Sequence, residues 1–224
     1  IMQRNSDLDF CVFRAALFSR SVGDLTRLWH PLNPGDALLR FLSHEVIWDV
    51  SGPIWRRSFL EKIGCFDETL RCLQDMEIHA RTLMAHPKYL CFRDIDHDVR
   101  YVDDSQKISN RYWYDTTYFE VLENVRAKLF DSLTPNGLNT WSRRRALLGL
   151  SFMAAESWVR AERVYRAMCV WTRACSQQQA PWHVKIGGLS MICAARFGTR
   201  WGSVGLRLVS RWKGWVRFRQ EPQI

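Results

Sequence analysis

The period of the hydrophobic pattern changes once along this chain, and that change limits the folds open to it. Up to about residue 110, short apolar runs alternate with turn residues. From Tyr112 onward, apolar positions recur at helical spacing. With 224 residues and 47% hydrophobic side chains, the chain is long enough to bury one or two cores. The expected organisation is a mixed α/β part over residues 1–110 and an all-α part over residues 111–224. No repeat agrees in both period and residues, which argues against a solenoid.

Within the first part, Leu8–Phe18 (LDFCVFRAALF) reads as a buried strand. His30–Asp36 (HPLNPGD) reads as a loop, because two prolines and a glycine break any helix. Ala37–Ser43 suits a short helix and Glu45–Val50 a short strand. Ser51–Gly52–Pro53 is a tight bend. Trp55–Ile63 is helical, with Gly64 placed to stop it. In Leu70–Met84, the residues Leu70, Leu73, Met76, Ala80, Leu83 and Met84 share one helical face. Tyr89–Phe92 and Val99–Val102 read as two separate strands. In the second part, Tyr118–Phe130 is a helix closed by a Thr-Pro-Asn-Gly turn. Arg143–Ser176 is one long helix or a helix pair, and Ala180–Pro181 ends it. Helices over Val184–Phe197 and Gly202–Phe218 follow.

The chemistry concentrates in Val50–Arg81 (VSGPIWRRSFLEKIGCFDETLRCLQDMEIHAR). A small-residue bend at Ser51–Gly52–Pro53 leads to an aromatic with two basic residues, Trp55–Arg56–Arg57, and a helix. Gly64–Cys65–Phe66–Asp67–Glu68 comes next, then Gln74–Asp75–Met76–Glu77–Ile78–His79–Ala80–Arg81. Asp75 falls in the first turn of its expected helix, where the dipole favours negative charge. A carboxylate there can accept the proton of a hydroxyl as that hydroxyl attacks an electrophilic carbon. Glu77 and Arg81 stand four apart and can form a helix ion pair.

In order and spacing this stretch resembles the second half of a family 2 glycosyltransferase of GT-A fold, over about residues 8–110. The resemblance implies a partial GT-A (Rossmann-like) α/β fold lacking its N-terminal nucleotide-binding half, with a helical region added. It implies transfer of a sugar from a nucleotide-sugar donor to the hydroxyl of a glycan or lipid-linked acceptor, with inversion. Asp75 would be the general base. Ser51, Gly52, Trp55, Gln74, Glu77, Arg81, Arg100 and Ser105 would line the substrate site. Gln74 stands where the family often has Glu, and Val102 where a His is common. The intact family enzyme holds a divalent metal, Mg or Mn, on an Asp-x-Asp motif that ends an earlier strand. Asp7–Leu8–Asp9 has no strand before it, and Asp94–Ile95–Asp96 follows Asp75 in the wrong order. No metal ligands are therefore assigned, and the chain by itself is expected to be inactive. The chain opens on Ile1 and runs quickly into strand-like sequence, as a segment of a larger protein would. The alternative is a non-catalytic binding or scaffold protein that keeps the acceptor half and a basic helical tail.

That tail is the second functional signal. Residues 141–219 carry 15 basic side chains against Glu156 and Glu162. Trp201, Val204, Leu208, Trp212 and Val216 form an apolar stripe flanked by Arg207, Arg211 and Lys213. Such a helix suits an anionic membrane surface or packing on the helical region, and both destinations stay open. No nucleic-acid-binding motif accompanies it. Seven cysteines without a CxxC pair suit reduced core thiols, and no apolar run reaches the ~20 residues of a membrane span. The expected location is cytoplasmic, with peripheral attachment at the inner membrane face as an option.

Overall fold

The computed structural model describes residues 2–25, 27–29, 35–101 and 116–196. The chain separates into two compact units, Ile1–Ser105 and Gln106–Ile224.

The first unit is mixed α/β and is organised around β1, Phe10–Phe18. The first residues of this strand, Phe10, Cys11 and Val12, are almost fully buried, as suits a strand with neighbours on both sides. On one side it pairs antiparallel with two short strands, β2 (Leu28–Trp29) and β3 (Pro53–Trp55). On the other it pairs in parallel with β4, Tyr89–Arg100, from Phe10↔Tyr89 to Phe18↔Arg100. A parallel pair needs a long crossover. Here the crossover carries α1 (Ala37–Leu42), α2 (Arg57–Lys62) and α3 (Gln74–Met84).

Several element boundaries differ from the sequence expectation, each for a local reason. Tyr89–Arg100 is one strand, not two. Its register slips between Val12 and Ala15 of β1, so the polar run Arg93–Asp98 belongs to a bulged edge rather than a turn. Glu45–Val50 forms no strand; Ile47 and Trp48 are buried from a bend. Trp55 belongs to β3, and α2 starts only at Arg57. The third helix starts at Gln74, because Leu73 sits in the left-handed region at φ 61 and so cannot continue a right-handed helix backward. Asp36 caps α1 by accepting from the Leu39 N–H at 2.9 Å. Gly64 (φ +90) supplies the left-handed residue that closes α2.

The second unit is helical over its described residues: α4 (Thr116–Leu133), α5 (Trp141–Arg160), α6 (Val164–Gln177) and α7 (residues 182–196). Thr140 caps α5, accepting from the Arg143 N–H. Glu162, at φ 59, divides the Arg143–Ser176 stretch into a helix pair. Among the described residues no helix is long and apolar enough to cross a membrane. The expected helix over Gly202–Phe218 lies outside the described residues.

Trp171 is fully buried at the centre of this unit, its indole N–H donating to the Lys185 carbonyl at 2.9 Å. Gly188 lets α7 approach that ring closely. A Cβ at this position would lie 2.2 Å from the indole. Gly188→Ala should therefore destabilise the helical unit by about 1–3 kcal/mol, the usual range for overpacking. Urea denaturation followed by helical circular dichroism checks this; an unchanged midpoint would show that the ring can move aside.

Candidate functional site

Asp75 is the second residue of α3 and is half-buried. Its Oδ1 accepts the N–H of Met76 at 2.8 Å, one of the first-turn donors that have no partner within the helix. Among the described residues Asp75 forms no ion pair. The dipole at this end of the helix favours negative charge.

Two residues later begins a clamp between Glu77 and Arg81. Glu77 is 4% exposed and receives two bonds from Arg81, from Nε at 2.7 Å and from Nη2 at 3.0 Å. The same guanidinium donates to the carbonyls of Ile63 and Cys65. All of its described partners are protein groups, so Arg81 ties the Gly64–Cys65 turn to α3. The Gly-x-Phe-Asp stretch and the carboxylate-bearing helix are joined through one side chain.

A second polar group forms where the bend before β3 meets the bulge of β4. The Ser51 hydroxyl lies 2.9 Å from Asp49 Oδ2 and 3.0 Å from His97 Nε2. His97 Nδ1 lies 2.5 Å from Asp96 Oδ1, and Asp49 Oδ1 accepts the Gly52 N–H at 2.8 Å. Burial pulls the His97 pKa down. The Asp96 hydrogen bond and the Asp49 charge outweigh it, and the pKa is raised. One proton arrangement satisfies every contact. A charged imidazolium donates to Asp96 and to Ser51 Oγ, and the hydroxyl passes its own proton to Asp49. Gly52 is closely approached, since a Cβ would sit 3.2 Å from Asp49 Oδ1 and 3.3 Å from the Phe13 carbonyl and would press both back by a few tenths of an ångström.

His79 has Asp75 and Asp49 as its charged neighbours. It sits one turn after Asp75 on α3, 1% exposed, and neither ring nitrogen makes a well-formed hydrogen bond, the backbone of Asp49 offering only a weak one. Its ring stacks on Trp55 at 6.1 Å and 9°, and packs against Phe41 and Trp48. Burial in this aromatic box drives its pKa down to about 4, against the opposing charges of Asp75 and Asp49. A neutral imidazole therefore lies within electrostatic reach of both carboxylates.

Of the remaining expected site residues, Trp55 is half-buried and packs on Phe10 and His79. Gln74 is exposed at the first position of α3. Arg100 lies at the far end of β4, over the Phe18 ring at 5.5 Å. Ser105 lies outside the described residues. Asp9 Oδ2 accepts the Lys88 N–H at 2.8 Å, and Asp7 pairs with Lys88 at 3.6 Å, so both carboxylates serve the β1–β4 junction. Sequence reasoning missed Asp49, His79, Asp96 and His97. The bulge of β4 brings His97 beside Ser51, at 3.0 Å. The available signal for His79 was its i+4 relation to Asp75. The signal for Asp49 was an Asp two residues before a Ser-Gly bend.

Comparison with protein-family models, with curated proteins and with solved structures finds no match for this chain.

Proposed function

We propose that residues 1–110 are the acceptor-side part of an inverting glycosyltransferase of family 2, with Asp75 as its general base. The observation that carries this reading is the contrast within one helix. Glu77 and Arg81 neutralise each other, while Asp75, two residues earlier, keeps a half-buried carboxylate with no ion pair among the described residues. A carboxylate so placed can take the proton of an acceptor hydroxyl as that oxygen attacks the anomeric carbon. The Ser51–Gly52 bend and Trp55 supply a hydroxyl and an indole edge for the acceptor sugar.

The reading calls for a donor site with a divalent metal. The Asp49–His97–Asp96 group does not fit one, because both His97 nitrogens are already taken by Ser51 and Asp96. The described residues hold no other group of three or more His, Cys, Asp or Glu side chains that could bind a metal. No step is assigned to a metal on this chain, and the chain alone is proposed to be inactive.

Asp75→Asn is the test. In a protein that joins this chain to a donor-binding half, it should lower kcat by about 10²–10⁴, the usual contribution of a general base, and leave donor affinity unchanged. Retained kcat would remove Asp75 from the reaction and favour the non-catalytic scaffold reading.

A further inference from the structure

The helical unit contains a polar cavity of about 280 Å³ between α4, α5 and α6. At its base lies Arg126, only 5% exposed. Its Nη2 donates to Gln177 Oε1 at 2.9 Å, a neutral partner, and its Nη1 has none. Among the described residues the guanidinium forms no ion pair. Two carboxylates of its own helix act on it only through space, Asp131 and then Glu123, and Arg173 opposes them. Glu123 also lines the cavity, but it is held by the Trp158 indole at 2.8 Å and faces Arg166 at 3.7 Å. A second cation, Arg173, lines the same cavity from α6. Buried guanidinium groups are ordinarily matched by an anion, because an uncompensated charge away from water is strongly unfavourable.

We propose that this cavity binds a small ligand through an oxyanion, a carboxylate or phosphate group held by Arg126 and Arg173. The remaining lining agrees with that chemistry. Gln177 gives its carbonyl to Arg126, which leaves its amide N–H groups to donate, and Asn124 can donate beside it. The buried Ser151 hydroxyl already donates to the Leu147 carbonyl, so it gives the oxyanion nothing and can only accept from a donor group elsewhere on the ligand. Exposed Glu120 at the rim favours a ligand of low net charge, with its oxyanion innermost. The volume lies near the lower end of small-molecule sites, which are roughly 300–1,000 Å³.

The test is thermal unfolding of the whole chain, followed by helical circular dichroism, in sodium phosphate, sodium malonate or sodium chloride at equal ionic strength. Both oxyanions can raise Tm by general exclusion from the surface, so the readout is a saturable increment over chloride. A saturable increment with phosphate alone identifies a phosphate site, and one with malonate identifies a carboxylate site. Arg173→Gln alters an exposed side chain and leaves the fold intact; it should weaken the apparent affinity about tenfold, the worth of one charge-assisted hydrogen bond. Arg126→Met should abolish the increment. If that variant does not fold, the Arg173→Gln titration decides. The proposal is overturned by increments that do not saturate, or by a midpoint that Arg173→Gln leaves unchanged.

Discussion

Arg81→Met should open the α2–α3 region by about 3–5 kcal/mol relative to the wild-type protein, the cost of leaving a buried charge without its partner. Glu77 is the charge left behind. It is 4% exposed, and both of its carboxylate oxygens are bonded to Arg81. The substitution also strips the carbonyls of Ile63 and Cys65 of their donor. Hydrogen exchange measured on peptides spanning residues 57–84 reports this region without requiring the two units to unfold together. Glu77→Gln combined with Arg81→Met should recover part of the loss, because an uncharged amide is less costly to bury. The control is Arg57→Met, which breaks a pair of the same i,i+4 spacing between side chains 91% and 56% exposed. It should leave exchange unchanged. Equal effects of the two substitutions would show that burial of Glu77 does not set the cost.

How much of this was legible in the sequence depends on which residues are asked about. Phe10–Phe18 was readable as a strand because a run of apolar and aromatic residues has few other uses, and Gly64 as a helix stop because glycine itself takes the left-handed conformation, here at φ 90, without steric cost. The Glu77–Arg81 pair was readable from spacing alone. Its role was not: i,i+4 spacing says nothing of a guanidinium that also reaches Ile63 and Cys65, 18 and 16 residues away. Leu70 and Leu73 matched a helical face and yet precede the helix; Leu70 is buried from irregular backbone, and Leu73 takes the left-handed conformation. In β4, alternation of Arg93, Asp94, Asp96 and Asp98 hid a continuous strand, since an exposed edge does not require apolar residues. The Ser51–Asp49–His97–Asp96 group joins residues up to 48 apart through a bulge in register. No local pattern encodes that contact.

His79→Phe should make the protein less sensitive to acid. The imidazole has a pKa of about 4 in the folded state, and roughly 6.5 is expected for the unfolded chain. Between those values the unfolded state binds the extra proton. Stability linked to His79 is therefore complete above about pH 6.5 and is lost as the pH falls toward 4. At pH 5 the loss is roughly 2 kcal/mol, and it grows to about 3 kcal/mol at lower pH. Phenylalanine keeps the stack on Trp55 and the contact with Phe41 while removing two buried nitrogens that make no well-formed hydrogen bond. At pH 8 the variant should match or slightly exceed the wild type in stability. At pH 5 it should be more stable by about 2 kcal/mol. His97 works in the opposite sense. Its pKa is raised, so its contribution is present below about pH 6.5 and is lost as the pH rises through the folded value. His79→Phe and His97→Gln should thus tilt the pH–stability curve in opposite directions, although both rings interact with Asp49. Urea denaturation of each variant at pH 8 and pH 5 measures the tilt, and curves parallel to wild type would mean that His79 takes up its proton without leaving the aromatic box. The same neutrality bears on Asp75. A charged His79 one turn away would draw its carboxylate into an ion pair, whereas a neutral one leaves it available to a hydroxyl.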